Sequence, residues 1–402
     1  VVAVRVDNSA QPNSRWYTGS GIYRHTWLTL VDRLHVAHWG TFVTTPRVDS
    51  AGADVVVRTK VENHGAATRQ GVLRAVVLDG AGREVGRIEP PFSLPTGQTT
   101  ELEQRLLVAT PQLWSVETPN LYALRTEVLD GQRAADAVTT PFGIRSIAFD
   151  KDRGFLLNGQ RVKMNGVNLH HDAGAVGAAV PERVWERRLL ALKAMGVNAI
   201  RTAHNPPAPE FLDLCDRLGF LVMAEAFDEW TFGKVPEGYH KHFAEWSERD
   251  VTGFVRRDRN HPSIVLWSAG NEIGEQTSPG GVAVLRRLVD IFHREDPTRP
   301  VTTGNDHIYA DDGATSAEFL SAADVVGYNY VDRWHERREI FAEPDRHAHP
   351  EWKMIGTESS PAFNTFDGRY SLGNDSAVVR ANYTTGMIQA ERLWKWVAMH
   401  DY

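Results

Sequence analysis

Two apolar runs in this chain end on a carboxylate. In "HPSIVLWSAGNEIG", residues 261–274, the strand-like Ile264 to Trp267 breaks at Ser268-Ala269-Gly270 and delivers Asn271-Glu272. In "KMIGTESS" the run from Lys353 stops at Glu358. A core strand has no packing reason to carry a charge at its tip, so such tips point to a polar cleft. Two carboxyls about 5–5.5 Å apart suit retaining glycoside hydrolysis, one as nucleophile and one as acid/base, because the transition state is cationic. The amide of Asn271 could bind a sugar hydroxyl without placing another charge beside the acid. Taken alone, Glu272 reads equally well as a solvated loop carboxylate; the pairing carries the argument.

The elements that must hold these tips follow from residue 144 onward. "GFLLNGQRVKMNGVNLH" opens with a hairpin turned at Asn158-Gly159. Apolar strands are then expected at 162–169, 197–203, 220–226, 263–269, 301–304, 325–330 and 353–357, alternating with amphipathic helices. The first helix should begin with Pro181 at N1 and carry Trp185, Leu189, Leu192 and Met195 until Gly196. The next carries Phe211, Leu214, Cys215 and Leu218 until Gly219. This series predicts a (β/α)8 TIM barrel, whose chemistry lies at the C-terminal ends of the strands. Those ends read His170-His171-Asp172, then Arg201, His204 and Asn205, then Glu225, Asp228, Glu229 and Trp230, then Asn271-Glu272, "GNDH", "GYNY" and Glu358. Polar groups recur wherever an apolar run stops. The count of strands reaches seven, and the eighth is missing from it.

The chain has 402 residues, which fits several domains, and its 42% hydrophobic and 24% charged content is that of a globular protein. A net charge of −7 without Lys/Arg blocks argues against nucleic acid. No apolar run approaches the roughly 20 residues of a membrane span. The single Cys215 excludes an internal disulfide and sits on a helix's apolar face as an inert thiol. The opening "VVAVRV" has no signal-peptide pattern and assigns no compartment. Residues 37–143 read as an all-β sandwich of immunoglobulin-like size: Val55, Val57, Thr59 and Val61 share one face, and two strands flank a turn at Asp79–Gly82. Residues 1–36 read as strand-like and aromatic but too short to bury a core.

The motifs also resemble a known family. "NAIRTAHNPPAPEFLDLCDRLGFLVMAE" and "DRNHPSIVLWSAGNE" are similar to the two signatures of glycoside hydrolase family 2, which includes β-galactosidases, β-glucuronidases and β-mannosidases. "SRWYTGSGIYRHTWL" resembles the last strands of that family's N-terminal jelly-roll, sugar-binding-like domain, and "PFGIRSIAFD" its lead into the barrel. The resemblance implies the tail of a jelly-roll at 1–36, an immunoglobulin-like sandwich at 37–143 and a catalytic barrel at 144–402. It implies Glu272 as acid/base and Glu358 as nucleophile. It further implies that Asp172, Arg201, His204, Asn205, Asp228, Asn271 and Tyr330 bind the non-reducing sugar, with no metal and no cofactor. An eighth strand bearing a tryptophan is expected beyond Tyr402, and the rest of a jelly-roll before Val1.

Several residues have a plainer reading. Arg201 could pair with Glu225 as a structural ion pair, and His204 could cap a helix. Trp394 and Trp396 read as packing. "GNEIGEQ" and "GTESS" are most similar to β-galactosidase members, which makes a terminal β-D-galactoside the expected substrate of a retaining exo-glycosidase. A glucuronidase is the alternative within the family; no Asn-x-Lys triplet follows Glu358 to bind a sugar carboxylate. A metal-dependent amidohydrolase would want His-x-His on the first strand and a bridging Lys on the fourth, whereas the chain has adjacent histidines and a Glu. A non-catalytic carbohydrate-binding relative would not need both glutamates. Assembly of several copies stays open.

Overall fold

The computed structural model describes residues 1–16, 18–49, 51–307, 314–329 and 345–358. Tyr330, Trp394, Trp396 and the stretch in which a strand after Glu358 would fall lie outside the described residues.

The strand-like reading of the first residues is corrected. Among the described residues before Leu34 no helix or strand forms. A strand needs a ladder partner, and no sheet includes this segment. It lies instead along the C-terminal half of the chain. His25 meets Glu210 at 2.5 Å, and the Trp16 ring stacks on that of His170 and meets that of His204 edge-on.

The sandwich follows from period-2 patterning. One sheet orders β1 (Leu34–Asp49), β2 (Gly52–Asn63) and β6 (Thr99–Val108). The other orders β4 (Glu84–Ile88), β3 (Arg69–Leu78), β7 (Tyr122–Asp130) and β8 (Arg133–Phe142), with β5 (Pro91–Leu94) also pairing β3. Val55, Val57, Thr59 and Val61 are all fully buried, and the three valines pack in clusters with Leu73, Ala75, Val77, Leu124 and Val128 from the other sheet. The turn at Asp79–Gly82 forms as expected, with the Gly82 N–H donating to the Asp79 carbonyl at 2.8 Å. β1 begins at Leu34, within the stretch expected to belong to the preceding unit.

A small antiparallel sheet of β9 (Ile147–Asp150), β10 (Gly154–Leu157) and β11 (Gln160–Arg161) leads to the second half. Asn158 and Gly159 both have positive φ, 53° and 76°, as a two-residue turn whose twist matches the strands requires. Seven parallel strands follow. They are β12 (Gly166–Leu169), β13 (Ala199–Thr202), β14 (Leu221–Glu225), β15 (Ile264–Asn271), β16 (Val301–Gly304), β17 (Val326–Asn329) and β18 (Met354–Glu358). β12 to β16 form one sheet and β17–β18 a pair, joined by a parallel bridge between Asn305 and Tyr328.

The described helices between them include α1 (Glu182–Ala194), α2 (Pro209–Leu218), α3 (His240–Asp258), α4 (Gly281–Glu295) and α5 (Ala317–Leu320). None of the described helices is long and apolar enough to cross a membrane. Pro181 is the N-cap of α1 rather than N1, and Met195 is exposed because the helix ends before it. Trp185, Leu189, Phe211, Leu214 and Cys215 are buried, and burial pushes the Cys215 thiol well above its usual range. Gly219 ends α2 at φ 73°, and a Cβ there would lie 2.3 Å from the Val116 carbonyl oxygen. Only glycine fits where the sandwich linker passes. Tyr328 faces the helices, buried with Val326 and Trp352, and donates to Asp345 at 2.9 Å.

The floor of the sheet, at the start of β15, fastens it to the sandwich. Trp114 Nε1 donates to the Asp216 carbonyl at 2.9 Å, and Arg145 donates to the carbonyls of Pro262 and Ile264, both at 2.6 Å. The Asp216 carboxylate accepts from the Ser263 N–H at 3.0 Å and meets His261 Nδ1 at 2.6 Å. Burial alone would lower the His261 pKa, but Asp216 outweighs it and raises the imidazole to about 9. An unfolded histidine titrates near 6.5, so the pair stabilises the fold fully below about pH 6.5. That contribution, on the order of 3 kcal/mol, is lost as pH rises through about 9. Urea unfolding at several pH values should therefore show stability falling over that window, and His261→Gln should flatten the fall. Parallel slopes for the two proteins would mean that the pair does not titrate as described.

Candidate functional site

Each described polar tip lies at the C-terminal end of its strand, above this floor. β15 ends at Asn271, and the next residue, Glu272, turns into the left-handed region at φ 42°. Such a φ is uncommon outside glycine and marks a residue held by its surroundings. The Glu272 N–H donates to the Gly304 carbonyl at 2.7 Å, and Asn329 Nδ2 reaches Glu272 Oε1 at 3.0 Å. Glu358 closes β18 and pairs in register with Asn329 at the end of β17.

The two glutamates belong to one hydrogen-bonded chain. Arg201, on β13, donates from Nη1 to Glu358 Oε1 at 2.6 Å and from Nη2 to Asn271 Oδ1 at 2.8 Å. Asn329 Nδ2 reaches that same Asn271 oxygen at 3.1 Å and continues to Glu272, while its own Oδ1 accepts from Thr357 Oγ1 at 2.5 Å. Beneath them Glu225, fully buried, accepts from Arg201 at 2.7 Å and from Ser268 at 2.6 Å, and meets His204 Nδ1 at 2.7 Å. Burial would raise the Glu225 carboxyl, but Arg201 and His204 hold it below its usual value. Burial likewise works against the Arg201 cation, and Glu225 with Glu358 outweighs it, raising the guanidinium above its usual range. Arg201 thus forms the ion pair with Glu225 and also touches Glu358. His204 is no helix cap; its Nε2 lies 3.8 Å from Glu358.

Asp228 forms the second cluster. It accepts from Arg15 at 2.7 and 3.0 Å, from Lys234 Nζ at 2.9 Å and from Asn271 Nδ2 at 2.9 Å. Burial opposes its charge, but these donors hold the carboxyl well below the usual range. Lys234 Nζ also donates to the Asn271 carbonyl at 2.7 Å, so it grips the peptide that leads into Glu272. Arg15, Lys234, Asn329 and Thr357 escaped the reading of the sequence. "GYNY" was visible as a strand end, but nothing in it singles out Asn329.

Asp172 is half-buried, and its carbonyl accepts from Arg188 at 2.9 Å. Asn205 and His204 border a cavity of about 500 Å³ that extends past Arg15, Trp16 and Asp228 to Trp39. Neither Glu272 nor Glu358 lines it. Glu229 accepts backbone donors from Lys234 at 2.6 Å and His240 at 2.9 Å, which is structural work on the loop. The rings of His170 and His171 part company, the first against Trp16 and His204, the second against Trp185. Burial, reinforced by Arg24, Arg188 and Arg257, lowers His171 to about 3. Adjacent rings turned this way do not converge on one ion.

The parallel β/α sheet and the β-sandwich before it each match a protein-family model. The model of the glycosyl hydrolases family 2 TIM barrel domain matches residues 150–402, and the accompanying glycosyl hydrolases family 2 model matches 34–145. The chain belongs to glycoside hydrolase family 2. It is 41% identical over 406 aligned positions to β-galactosidase BoGH2A of Bacteroides ovatus, covering 93% of this chain and 46% of that protein. It is 28% identical to a β-glucuronidase of Bacteroides fragilis, covering 94% of this chain and 55% of the relative. A crystal structure of a family 2 member from Bacteroides cellulosilyticus superposes with a TM-score of 0.82 at 40% identity, covering 87% of this chain and 44% of the other. The chain spans about half the length of these two curated relatives.

Proposed function

We propose that the protein is a retaining exo-β-glycosidase in which Glu358 attacks the anomeric carbon and Glu272 protonates the departing oxygen. The observation that carries this reading is the unequal setting of the two glutamates within one network. Glu358 accepts from a permanent cation, Arg201, at 2.6 Å, and an attacking carboxylate has to be charged. Glu272 accepts from the neutral amide of Asn329 at 3.0 Å, a partner that does not oppose a proton on the acid. In the first half-reaction the Glu358 carboxylate forms a covalent glycosyl ester as the Glu272 proton passes to the leaving oxygen. In the second, Glu272 takes a proton from water, which attacks the anomeric carbon, displaces the Glu358 carboxylate and releases the sugar with its configuration retained.

Asp172, Arg201, His204, Asn205, Asp228, Asn271 and Tyr330 are assigned to the subsite for the terminal sugar. Arg201 acts there chiefly through Glu358 and Asn271. The sugar proposed is β-D-galactose. The 41% identical relative named a β-galactosidase supports it. The β-glucuronidases among the relatives keep a uronic acid as the second reading. The division into 1–36, 37–143 and 144–402, the jelly-roll origin of the first part and the immunoglobulin-like type of the sandwich belong to the same proposal. Hydrolysis of a panel of aryl β-glycosides by the full-length protein tests the sugar, and the anomer first released, followed by NMR, tests retention. Faster turnover of the glucuronide than the galactoside, or initial release of the α-anomer, would overturn the respective part.

Lys234 gives a further expectation. A charge-assisted hydrogen bond contributes about 1.5–3 kcal/mol. Lys234→Met removes one from Asp228 and another from the peptide before Glu272. It should lower kcat/KM roughly 10- to 100-fold, with little change in Tm because Arg15 still neutralises Asp228. A loss below twofold would show that Lys234 does not help to set Glu272.

A further inference from the structure

Outside the proposed catalytic site, His35, Glu62 and His64 meet on one face of the sheet β1-β2-β6. The β1–β2 register places His35 directly opposite Glu62. The neighbours on both strands, Leu34, Val36, Val61 and Asn63, are buried, so alternation sends His35 and Glu62 to the opposite, outer face. His64 follows the end of β2, and its N–H donates to the Arg33 carbonyl at 2.7 Å, which keeps it beside the start of β1. We propose that these three side chains form a binding site for a zinc-type divalent transition-metal ion, a role separate from the glycosidase reading.

The geometry carries the argument. His35 Nε2 lies 3.4 Å and His64 Nε2 3.0 Å from the same Glu62 Oε2. One donor atom from each residue lies within 4.8 Å of the others, and the two rings are 5.5 Å apart and 26° from parallel. Ligands at about 2.0–2.1 Å from a tetrahedral ion stand about 3.3–3.4 Å from one another. The two nitrogen–oxygen separations already approximate edges of such a tetrahedron. Closing the third needs only rotation of His64, whose side chain is 62% exposed. Two imidazoles and a carboxylate suit Zn²⁺, Co²⁺ or Ni²⁺ rather than Mg²⁺ or Ca²⁺, which prefer all-oxygen sets. Among the described residues the buried Nδ1 of His35 has no hydrogen-bond partner that would fix the other tautomer. The exposed side leaves the fourth position to water. An ion here would tie the first residues of β1 to the end of β2, where the segment bearing Arg15 and Trp16 runs into the sandwich.

The plainer reading is a pair of surface His–Glu hydrogen bonds, and the two separate by experiment. The full-length protein, stripped with chelator, is titrated with Co²⁺ and followed by visible d–d absorption, and Zn²⁺ binding is measured by calorimetry and by Tm. One saturable equivalent is expected, with a tetrahedral Co²⁺ spectrum and a Tm raised by Zn²⁺. His64→Ala, at an exposed position, and Glu62→Gln should each weaken Kd at least tenfold and abolish the Tm rise. His261→Gln, in the other His/Asp cluster, should leave both unchanged. Absence of saturable binding, or an unchanged Kd in His64→Ala and Glu62→Gln, would overturn the site.

Discussion

Glu358→Gly should reduce turnover of an aryl β-galactoside by roughly 10⁴-fold or more, since it removes the group proposed to form the covalent intermediate. Added azide should restore part of that rate by occupying the space of the lost carboxylate. The product should be a glycosyl azide of α configuration, because azide would attack from the face that Glu358 occupied and nothing would then invert the centre again. The fold should tolerate the change. Glu358 is the last residue of β18, and the core residue of that strand is Ile355. Arg201, deprived of one partner, keeps Glu225 at 2.7 Å and Asn271 at 2.8 Å. A β-configured azide product from this variant would exchange the roles of the two glutamates.

Glu272→Gln should behave differently according to the leaving group. Activated phenols depart without a proton, so their glycosylation step should change little. Unactivated sugars and alkyl groups should slow by about 10²–10⁴-fold, the usual contribution of general acid catalysis. The amide can still accept the Asn329 hydrogen bond, so the positive-φ turn at Glu272 should persist and the comparison reports protonation rather than misfolding. Equal losses for every leaving group in both variants would remove the assignment of roles. Measuring kcat/KM over a series of aryl galactosides of graded acidity decides it, since a steep dependence on leaving-group acidity is expected only of Glu272→Gln.

The features legible in the chain were those whose cause is local. Alternation placed Val55, Val57, Thr59 and Val61 in the sandwich core, and the seven apolar runs became the seven described parallel strands. Asn158-Gly159 and Gly219 announced a turn and a helix end because each needs positive φ, a property of the residue itself. The same logic exposed the polar tips: an apolar run that stops on Asn271-Glu272 or Glu358 is visible without knowing what lies opposite. What the tips touch was decided only by tertiary structure. Arg15 meets Asp228 across 213 positions of sequence, and Arg201 meets Glu358 across 157. Neither pairing leaves a periodic trace, since an ion pair in a cleft depends on where separate strand ends and loops converge. Asn329, Thr357 and Lys234 went unread for that reason. Residues 1–33 misled for the converse one. Their strand-like composition is local, but a strand exists only when another supplies the ladder, and the described residues of that segment find contacts on the barrel loops instead.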